Sequence, residues 1–288
     1  MTHGTCLCGT VRYEIDAPFT MMMHCHCSMC RKHHGAPFAT YASTALAGFR
    51  WTSGERALGH YAASRYYTRS HCTTCGSVAP SLMPGEGLAF VPAGTLDGDP
   101  GIRVQGHMFV GSKAPWYNIT DSLPQYEAYP PSLGDTPPVQ RRAVAAEPGK
   151  TLGSCLCGDV AYEITGAALA MYQCHCSRCR KGRAAAHAAN LFYKLEDFRW
   201  TRGESLVVDY KVPNAARFGV AFCRHCGGST PRVAAAAGTV VVPAGPLDTD
   251  PGMRPLAHIF VASKAPWFEI TDAIPQLAEA PPPPRPAR

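Results

Sequence analysis

The chain has 288 residues, 14 cysteines and a formal net charge of +6 at neutral pH. This length suits about two domains. The charges are of mixed sign and metal-bound thiolates would cancel the excess, so no nucleic-acid partner is expected. The first residues form no apolar signal segment and no apolar run is long enough to span a membrane, so we expect a cytoplasmic protein without membrane contact.

Taken in chain order, the sequence predicts short strands and little helix. GTVRYEI and GDVAYEI alternate apolar and polar residues directly after C-x-C-G, as half-buried strands do. The runs LAFVPAG, TVVVPAG, HMFVGS and HIFVAS lie between glycines and also indicate strands. Short helices are expected after C-x-x-C-R-K and after the SLPQYE segment. The predicted fold class is mainly β, with two small and irregular β domains.

The cysteines fall into two sets of seven with almost the same spacing. The first set is Cys6, Cys8, Cys25, Cys27, Cys30, Cys72 and Cys75, and the second is Cys155, Cys157, Cys174, Cys176, Cys179, Cys223 and Cys226. Spacings of the types C-x-C, C-x-C-x-x-C and C-x-x-C are typical of metal ligands, and an odd number in each set argues against disulfides. Seven divides into four thiolates that close a structural zinc site and three that leave one coordination position open.

The repeat extends beyond the cysteines. FRWTSGE at 49–55 returns as FRWTRGE at 198–204, and S-K-A-P-W occurs in both halves. A period of this length is too long for a solenoid and indicates two copies of one domain. The predicted boundaries are a first domain, a Pro-rich linker, a second domain and a disordered Pro-rich tail, at 1–130, 131–150, 151–280 and 281–288. We expect the copies to pack with pseudo-two-fold symmetry.

Four motifs in order identify a family. G-x-C-x-C-G-x-V-x-Y-E is followed by C-H-C-S-x-C-R-K, by C-x-x-C-G and by H-x-F-V-x-S-K-A-P-W-x-x-I-x-D. In these motifs the chain resembles the glutathione-dependent formaldehyde-activating enzyme family, which includes centromere protein V-like members and has the Mss4-like β fold. The resemblance covers Gly4 to Glu127 and Gly153 to Glu279.

The resemblance implies a division of the metal ligands. The structural zinc of the family matches Cys6, Cys8, Cys72 and Cys75, and in the second copy Cys155, Cys157, Cys223 and Cys226. Its catalytic zinc matches Cys25, Cys27 and Cys30, and in the second copy Cys174, Cys176 and Cys179. The spacing supports this division, because a distant C-x-C and C-x-x-C can close one tetrahedral cage. Up to four Zn²⁺ ions per chain are expected, two of them structural and two open.

Several residues beside the open clusters are candidates for substrate binding. Arg31 and Lys32 follow the last cysteine and could hold a carboxylate, or could be solvated charges. Gly35 could allow a ligand to approach the backbone. His107 and Lys113 could face the site, or could be satisfied within the fold. His26 and His175, between two ligands each, are expected to point away from the metal, and Trp116 and Trp267 are expected in the core.

The implied activity is a carbon–sulfur lyase or synthase that joins a thiol, with glutathione as the implied thiol, to formaldehyde or a related small aldehyde. A zinc-stabilised binding module without catalysis is the main alternative, and a lyase acting on another sulfur metabolite is a third. The open clusters could also gain a fourth protein ligand and be structural. The copies differ after R-K, where Gly35 becomes Ala184 and Phe38 becomes His187, so we expect the first copy to carry the activity.

Overall fold

The structure is a computed structural model that describes residues 1–65, 67–131 and 144–281. Most of the predicted linker and nearly all of the predicted disordered tail lie outside the described residues. Within them the fold consists of short strands and two seven-residue α-helices, α1 (Ser28–His34) and α2 (Ser177–Arg183). The mainly β fold class is therefore confirmed. Neither helix is long and apolar enough to cross a bilayer.

The described part of the first copy contains thirteen strands, which are β1 (Thr2–Thr5), β2 (Arg12–Ile15), β3 (Phe19–Cys25), β4 (Ala39–Ala45), β5 (Phe49–Ser53), β6 (Leu58–Ala62), β7 (Thr68–Cys72), β8 (Val78–Ala79), β9 (Ser81–Met83), β10 (Leu88–Pro92), β11 (Leu96–Asp97), β12 (His107–Met108) and β13 (Gln125–Tyr126). They form three sheets with the orders β11-β1-β2-β5, β13-β12-β3-β4-β10-β9 and β6-β7-β8. Most pairs are antiparallel, but β12 runs parallel to both β3 and β13.

The described part of the second copy contains eleven strands, which are β14 (Thr151–Ser154), β15 (Ala161–Ile164), β16 (Ala170–Cys174), β17 (Ala188–Lys194), β18 (Phe198–Arg202), β19 (Val207–Lys211), β20 (Gly219–Cys223), β21 (Ser229–Thr230), β22 (Arg232–Ala234), β23 (Thr239–Pro243) and β24 (Ala257–Ile259). The sheet orders β14-β15-β18, β22-β23-β17-β16-β24 and β19-β20-β21 repeat those of the first copy. Two isolated β-bridges, Gly153–Leu247 and His258–Gln276, take the place of the pairings that β11 and β13 make in the first copy.

Alternation in β2 shows why these segments form half-buried strands. Tyr13 and Ile15 are buried while Arg12 between the turn and Tyr13 is exposed, as the two-residue period of a strand requires. The hydroxyl end of the Tyr13 ring lies close to Gly4 on β1, where an added Cβ would lie 2.1 Å from Tyr13 Cζ. Only glycine fits this approach. Tyr13 Oη lies 2.6 Å from Thr95 Oγ1, which satisfies the buried hydroxyl.

The helix predictions are partly wrong. The helix at the first C-x-x-C-R-K begins at Ser28, before Cys30, and not after the motif. No α-helix directly follows the SLPQYE segment among the described residues, and the segment itself supplies β13, which pairs in parallel with β12. Its Pro124 carbonyl accepts a hydrogen bond from the His107 backbone N–H at 2.8 Å. A proline in the middle of the segment, which cannot donate to a helix and clashes with the preceding turn, explains this outcome.

The hydrophobic cores are shared between the copies. Trp116 from the first copy is buried in the second core, which includes Tyr162, Ile164 and Leu191. Trp267 from the second copy is buried in the first core, together with Ala265 and Phe268. Both tryptophans are therefore core residues, as predicted, but each completes the core of the other copy. A core assembled in this way ties the stability of each copy to the other.

Polar contacts between the copies are reciprocal. Lys32 on α1 lies 2.9 Å from an Asp248 carboxylate oxygen and donates to the Ser154 carbonyl at 2.8 Å. At the equivalent place Lys181 on α2 contacts Asp97 and Thr5. Thr120 and its counterpart Thr271 meet each other, with 2.5 Å between their Oγ1 atoms. Equivalent residues thus make equivalent contacts on the opposite copy.

Candidate metal centres

The cysteines gather into four groups, and within each group the sulfur atoms lie within 4.8 Å of one another. All fourteen are free thiols. The four groups are Cys6–Cys8–Cys72–Cys75, Cys155–Cys157–Cys223–Cys226, Cys25–Cys27–Cys30 and Cys174–Cys176–Cys179. Four groups of sulfur ligands could each hold a metal ion, and the grouping is the four-plus-three division that the spacing predicts.

Each four-cysteine cluster joins two hairpins. Cys6 and Cys8 lie in the turn between β1 and β2, while Cys72 ends β7 and Cys75 lies in the next turn. The backbone N–H of Val11 donates to Cys6 Sγ at 3.3 Å, and the second copy repeats this bond from Val160 to Cys155. Metal binding here would fasten the N-terminal hairpin to a segment far along the chain.

The sulfur spacing fits tetrahedral zinc. A Zn–S bond of about 2.3 Å places the sulfurs of a tetrahedron about 3.8 Å apart, and Cys8 Sγ lies 3.7 Å from Cys72 Sγ. In the second copy Cys157 Sγ lies 3.9 Å from Cys223 Sγ. The two sulfurs of each C-x-C lie closer together, at 3.3 Å in the first copy and 3.4 Å in the second. Backbone N–H groups that point at sulfur suit a thiolate, which accepts hydrogen bonds and donates none. The donor set therefore fits a soft divalent ion.

Each three-cysteine cluster is held by one short stretch of chain. Cys25 ends β3, and Cys27 caps α1 by accepting a hydrogen bond from the Cys30 backbone N–H at 3.4 Å. In the second copy Cys174 ends β16 and Cys176 accepts from Cys179 N at 3.3 Å. No histidine, aspartate, glutamate or further cysteine joins either group among the described residues. Both clusters offer three sulfurs and leave a tetrahedral ion one position for another ligand.

A chain of hydrogen bonds runs behind each three-cysteine cluster. His26 Nε2 lies 2.8 Å from His107 Nδ1, and His107 Nε2 lies 3.0 Å from both oxygens of Asp121. The carboxylate accepts from His107 Nε2–H, so His107 Nδ1 accepts from His26 Nε2–H. Burial lowers the pKa of His26 to about 3 and keeps it neutral. His26 bonds away from the sulfurs, as predicted, and the chain fixes the loop between Cys25 and Cys27.

The second copy has the same chain. His175 Nε2 lies 2.8 Å from His258 Nδ1, and His258 Nε2 lies 3.0 Å from Asp272 Oδ1. His107 and His258 are therefore satisfied strand residues, and for His107 this was one of the two roles considered. Because both copies keep the chain, it cannot account for any difference between them.

The surroundings of the two clusters differ in the side chains that face the sulfurs. Arg69 on β7, which is 4% exposed, donates from Nη2 to Cys30 Sγ at 3.3 Å. The guanidinium also lies 5.3 Å from the centre of the Tyr67 ring. The equivalent residues of the second copy are Val220 and Phe218. The first cluster has a cation in contact with sulfur at a position where the second has a valine.

Sequence reasoning missed Arg69, although a signal was present. In a strand whose last residue is Cys72, side chains alternate between two faces. Arg69 and His71 share the face opposite Cys72, and at these positions the second copy has Val220 and Phe222. Apolar residues at both positions of the second copy mark that face as buried. A buried arginine in the first copy is then a candidate functional residue.

The basic residues proposed for substrate binding have partners within the protein. Arg31 is buried and donates to the Gly245 carbonyl at 3.2 Å, and Lys32 contacts Asp248. Lys113 donates from Nζ to the Tyr117 carbonyl at 2.6 Å. All three side chains hold the fold together in the described residues, and two of them do so across the copies.

Gly35 serves helix termination and packing between the copies. It ends α1 with a φ of 63°, in the left-handed region that favours glycine. A Cβ at this position would lie 2.6 Å from Ser229 Oγ of the second copy. The counterpart Ala184 adopts a φ of 50° at the end of α2. The close approach at Gly35 is thus made by the protein itself.

Comparison with known proteins gives the family. A sequence model described as glutathione-dependent formaldehyde-activating enzyme matches residues 1–112 and 150–263. None of the curated proteins compared with the chain matches it. Among solved structures, a crystal structure of a Rhodobacter sphaeroides protein is 27% identical over 34% of this chain and 89% of its own, with a TM-score of 0.28. Because the family match includes both copies and most of the chain, the protein belongs to the glutathione-dependent formaldehyde-activating enzyme family as two tandem copies.

Proposed function

We propose that the protein joins a thiol to formaldehyde or a related small aldehyde, or cleaves such an adduct, with glutathione as the thiol. The observation that carries this proposal is the three-cysteine cluster of the first copy, which offers three sulfurs and no fourth protein ligand among the described residues. A closed four-sulfur site leaves the metal no position for a substrate atom, whereas this cluster leaves one coordination position open. Family membership names the reactants that suit it.

Cys25, Cys27 and Cys30 would hold the zinc ion, which when bound supplies a Lewis acid that favours ionised sulfur and polarises oxygen. In the reaction the sulfur forms a bond to the carbonyl carbon, the carbon–oxygen π bond breaks, and the oxygen takes up the proton that the thiol loses. The chain orients the reactants and offsets charge. Arg69 contacts Cys30 Sγ and so stabilises negative charge on sulfur.

Apolar side chains surround the first cluster. Met29, Tyr41, Met108 and Phe109 pack against its cysteines. Such a lining limits water around the reacting atoms, and charge interactions are stronger where water is excluded. Holding the thiol sulfur beside the aldehyde carbon removes much of the entropy cost of a bimolecular reaction.

The four clusters support a proposed content of four zinc ions per chain. The two closed sites would be folding metals that resist chelators, and the two open sites would lose metal first. The reciprocal contacts of Lys32 with Asp248 and of Lys181 with Asp97 support pseudo-two-fold packing of domains at 1–130 and 151–280. Fourteen free cysteines support a reducing compartment such as the cytoplasm.

The second three-cysteine cluster supports a different role for the second copy. It keeps the sulfurs but has Val220 where the first copy has Arg69. We propose that it binds metal without carrying the reaction. This is the zinc-stabilised module considered above, confined to one half of the chain.

The test is the rate at which the adduct forms and breaks. Because a thiol can add to formaldehyde without a catalyst, total consumption is a poor measure of catalysis. NMR exchange between free glutathione and its S-hydroxymethyl adduct reports the rate directly. We expect catalytic amounts of zinc-loaded protein to raise this rate, and chelation of the open sites to remove the increase. An exchange rate equal to that of the protein-free mixture, in a sample with four zinc ions per chain, would overturn the proposal.

A further inference from the structure

Arg69 differs from the other charged groups near the first three-cysteine cluster in that it touches a sulfur. Its Nη2 lies 3.3 Å from Cys30 Sγ. Its Nε and Nη1 are buried and have no hydrogen-bond partner among the described residues. A buried arginine keeps its charge, so the cluster has a permanent cation beside it. Donors left unpaired in the interior are costly, which indicates that they meet an acceptor when the site is occupied.

Arg31 on α1 is a second buried cation near this cluster, and it donates to the His26 and Gly245 carbonyls. The histidines and tyrosines packed around the cluster add no further charge. Burial lowers the pKa of His34 to about 4 and that of His33 well below its usual range, so both are neutral. Tyr41 Oη lies 2.9 Å from His34 Nε2. Burial raises the pKa of Tyr41 and of Tyr67. Near neutral pH these groups are uncharged, and Arg69 is the cation that faces Cys30.

The second cluster lacks this contact. Val220 occupies the position of Arg69, and Arg183 occupies the position of His34. The Arg183 side chain is directed at the first copy, with Nη1 3.1 Å from the place where a Cβ would lie on Gly35. Burial lowers the pKa of Arg183 to about 10, which leaves it charged. Among the described residues it makes no hydrogen bond to a sulfur.

The charge of a fourth ligand then distinguishes the two clusters. Three thiolates with a divalent ion carry one net negative charge, and a thiolate as fourth ligand adds another. Burying this extra charge is costly unless a cation contacts the group. Arg69 supplies that cation in the first cluster, and its two unpaired nitrogens can donate to the new ligand. In the second cluster Val220 offers neither at this position. Arg180 and Arg183 lie near Cys176 and Cys179, but among the described residues neither donates a hydrogen bond to a sulfur, which favours a neutral ligand.

We propose that Arg69 makes the first three-cysteine cluster the one that binds an anionic thiol as its fourth sulfur, while the second cluster takes a neutral ligand. This inference rests on the proposed function for the identity of the thiol. On binding, the thiol releases its proton to the buffer. Arg69 is thus a specificity-determining residue that fixes which copy receives the thiol.

Cobalt-loaded protein allows the two clusters to be examined separately. The Cys176→Ser variant keeps the first three-cysteine cluster intact, and Cys27→Ser keeps the second. The closed four-cysteine sites contribute a constant spectrum, so the change in sulfur-to-cobalt charge-transfer absorption on adding a ligand reports the open site. Glutathione serves as the anionic probe and imidazole as the neutral probe, and cobalt content is measured in every sample.

We expect glutathione to bind the first cluster at least about ten-fold more tightly than the second, while imidazole distinguishes them less. In the Cys176→Ser background, Arg69→Met should weaken the binding of glutathione about ten-fold and change the affinity for imidazole by less than about two-fold. Arg69→Lys should have an intermediate affinity for glutathione. In the Cys27→Ser background, the matched control Arg183→Met should leave glutathione binding unchanged.

Equal glutathione affinity of the two clusters, or an unchanged affinity in a cobalt-loaded Arg69→Met variant, would overturn the inference. If Arg69→Met fails to fold, the comparison of the two clusters decides it alone. The experiments distinguish failure of the proposed function from failure of this inference. Glutathione that binds the first cluster through Arg69 without any increase in adduct exchange contradicts the reaction and leaves the charge inference standing.

Discussion

Lys32 of the first copy and Asp248 of the second form a buried ion pair, with 2.9 Å between Nζ and Oδ1 and side chains that are 11% and 6% exposed. The equivalent pair of Lys181 and Asp97 is 20% and 42% exposed. Ion pairs in water contribute little to stability, whereas removing one member of a buried pair leaves a charge that is costly to bury. The two pairs therefore form a matched comparison of the contacts between the copies.

We expect Asp248→Ala to lower the free energy of unfolding by about 3 kcal/mol and Asp97→Ala by less than about 1 kcal/mol. Urea denaturation of both zinc-loaded variants, followed by circular dichroism, measures the difference. Equal losses in the two variants would show that the Lys32 pair is not buried in solution as it is in the structure.

Trp267 should control the stability of the copy to which it does not belong. Because it is 2% exposed within the core of the first copy, Trp267→Ala should cost about 3–5 kcal/mol. Hydrogen exchange of peptides from β3 and β10, which lie in the first copy, should accelerate. The control Leu256→Ala, at a position 50% exposed, should have little effect. Unchanged exchange in β3 and β10 would contradict the shared core.

The closed and open clusters should differ in what they do for folding. Cys72→Ser removes a ligand that joins two distant hairpins, so it should lower the midpoint of thermal unfolding strongly and release one zinc ion. Cys27→Ser affects a cluster held by one short stretch of chain, so the fold should persist. Thermal melts with zinc analysis distinguish these cases, and equal destabilisation by both substitutions would contradict the division into structural and open sites.

His187 should make the protein sensitive to acid. Burial lowers its pKa to about 3 from a usual value near 6.5, so between these values the unfolded state binds more protons than the folded state. Its contribution to stability is present above pH 6.5 and is lost as the pH falls toward 3. From pH 7 to pH 5 the loss is about 2 kcal/mol.

Replacing His187 by phenylalanine, the residue at the equivalent position 38, tests this. Denaturation of both proteins at pH 7 and pH 5 should show that the free energy of unfolding falls less in the variant than in the wild type as the pH is lowered. A packing cost of the larger ring would be the same at both pH values and cancels in the comparison. A difference between the two proteins that does not change with pH would contradict the lowered pKa.

Cysteine spacing was sufficient to predict the four clusters, because ligands at fixed separations must converge when they bind one ion. Alternation likewise predicted strands such as β2 and β15. The sequence could not predict that Trp116 and Trp267 each pack in the core of the other copy. An internal repeat gives the same pattern whether a segment packs on its own copy or on the other. For the same reason Lys32, a candidate for substrate binding, was not recognised as a contact between copies.

Arg69 shows a second limit of sequence reasoning. It lies far along the chain from Cys30, and only the fold brings its guanidinium to the sulfur. The start of α1 was predicted too late because its N-cap, Cys27, is a cysteine and not one of the common polar caps. Metal-ligand residues that also terminate elements are poorly described by propensity rules.

The central claim is that the first three-cysteine cluster carries the thiol and aldehyde chemistry. It is tested most directly by NMR exchange of the glutathione adduct of formaldehyde in Cys27→Ser and Cys176→Ser, with zinc content measured in each. We predict that Cys27→Ser abolishes the increase in exchange rate and that Cys176→Ser retains most of it. Loss of the increase in Cys176→Ser together with its retention in Cys27→Ser would contradict the account.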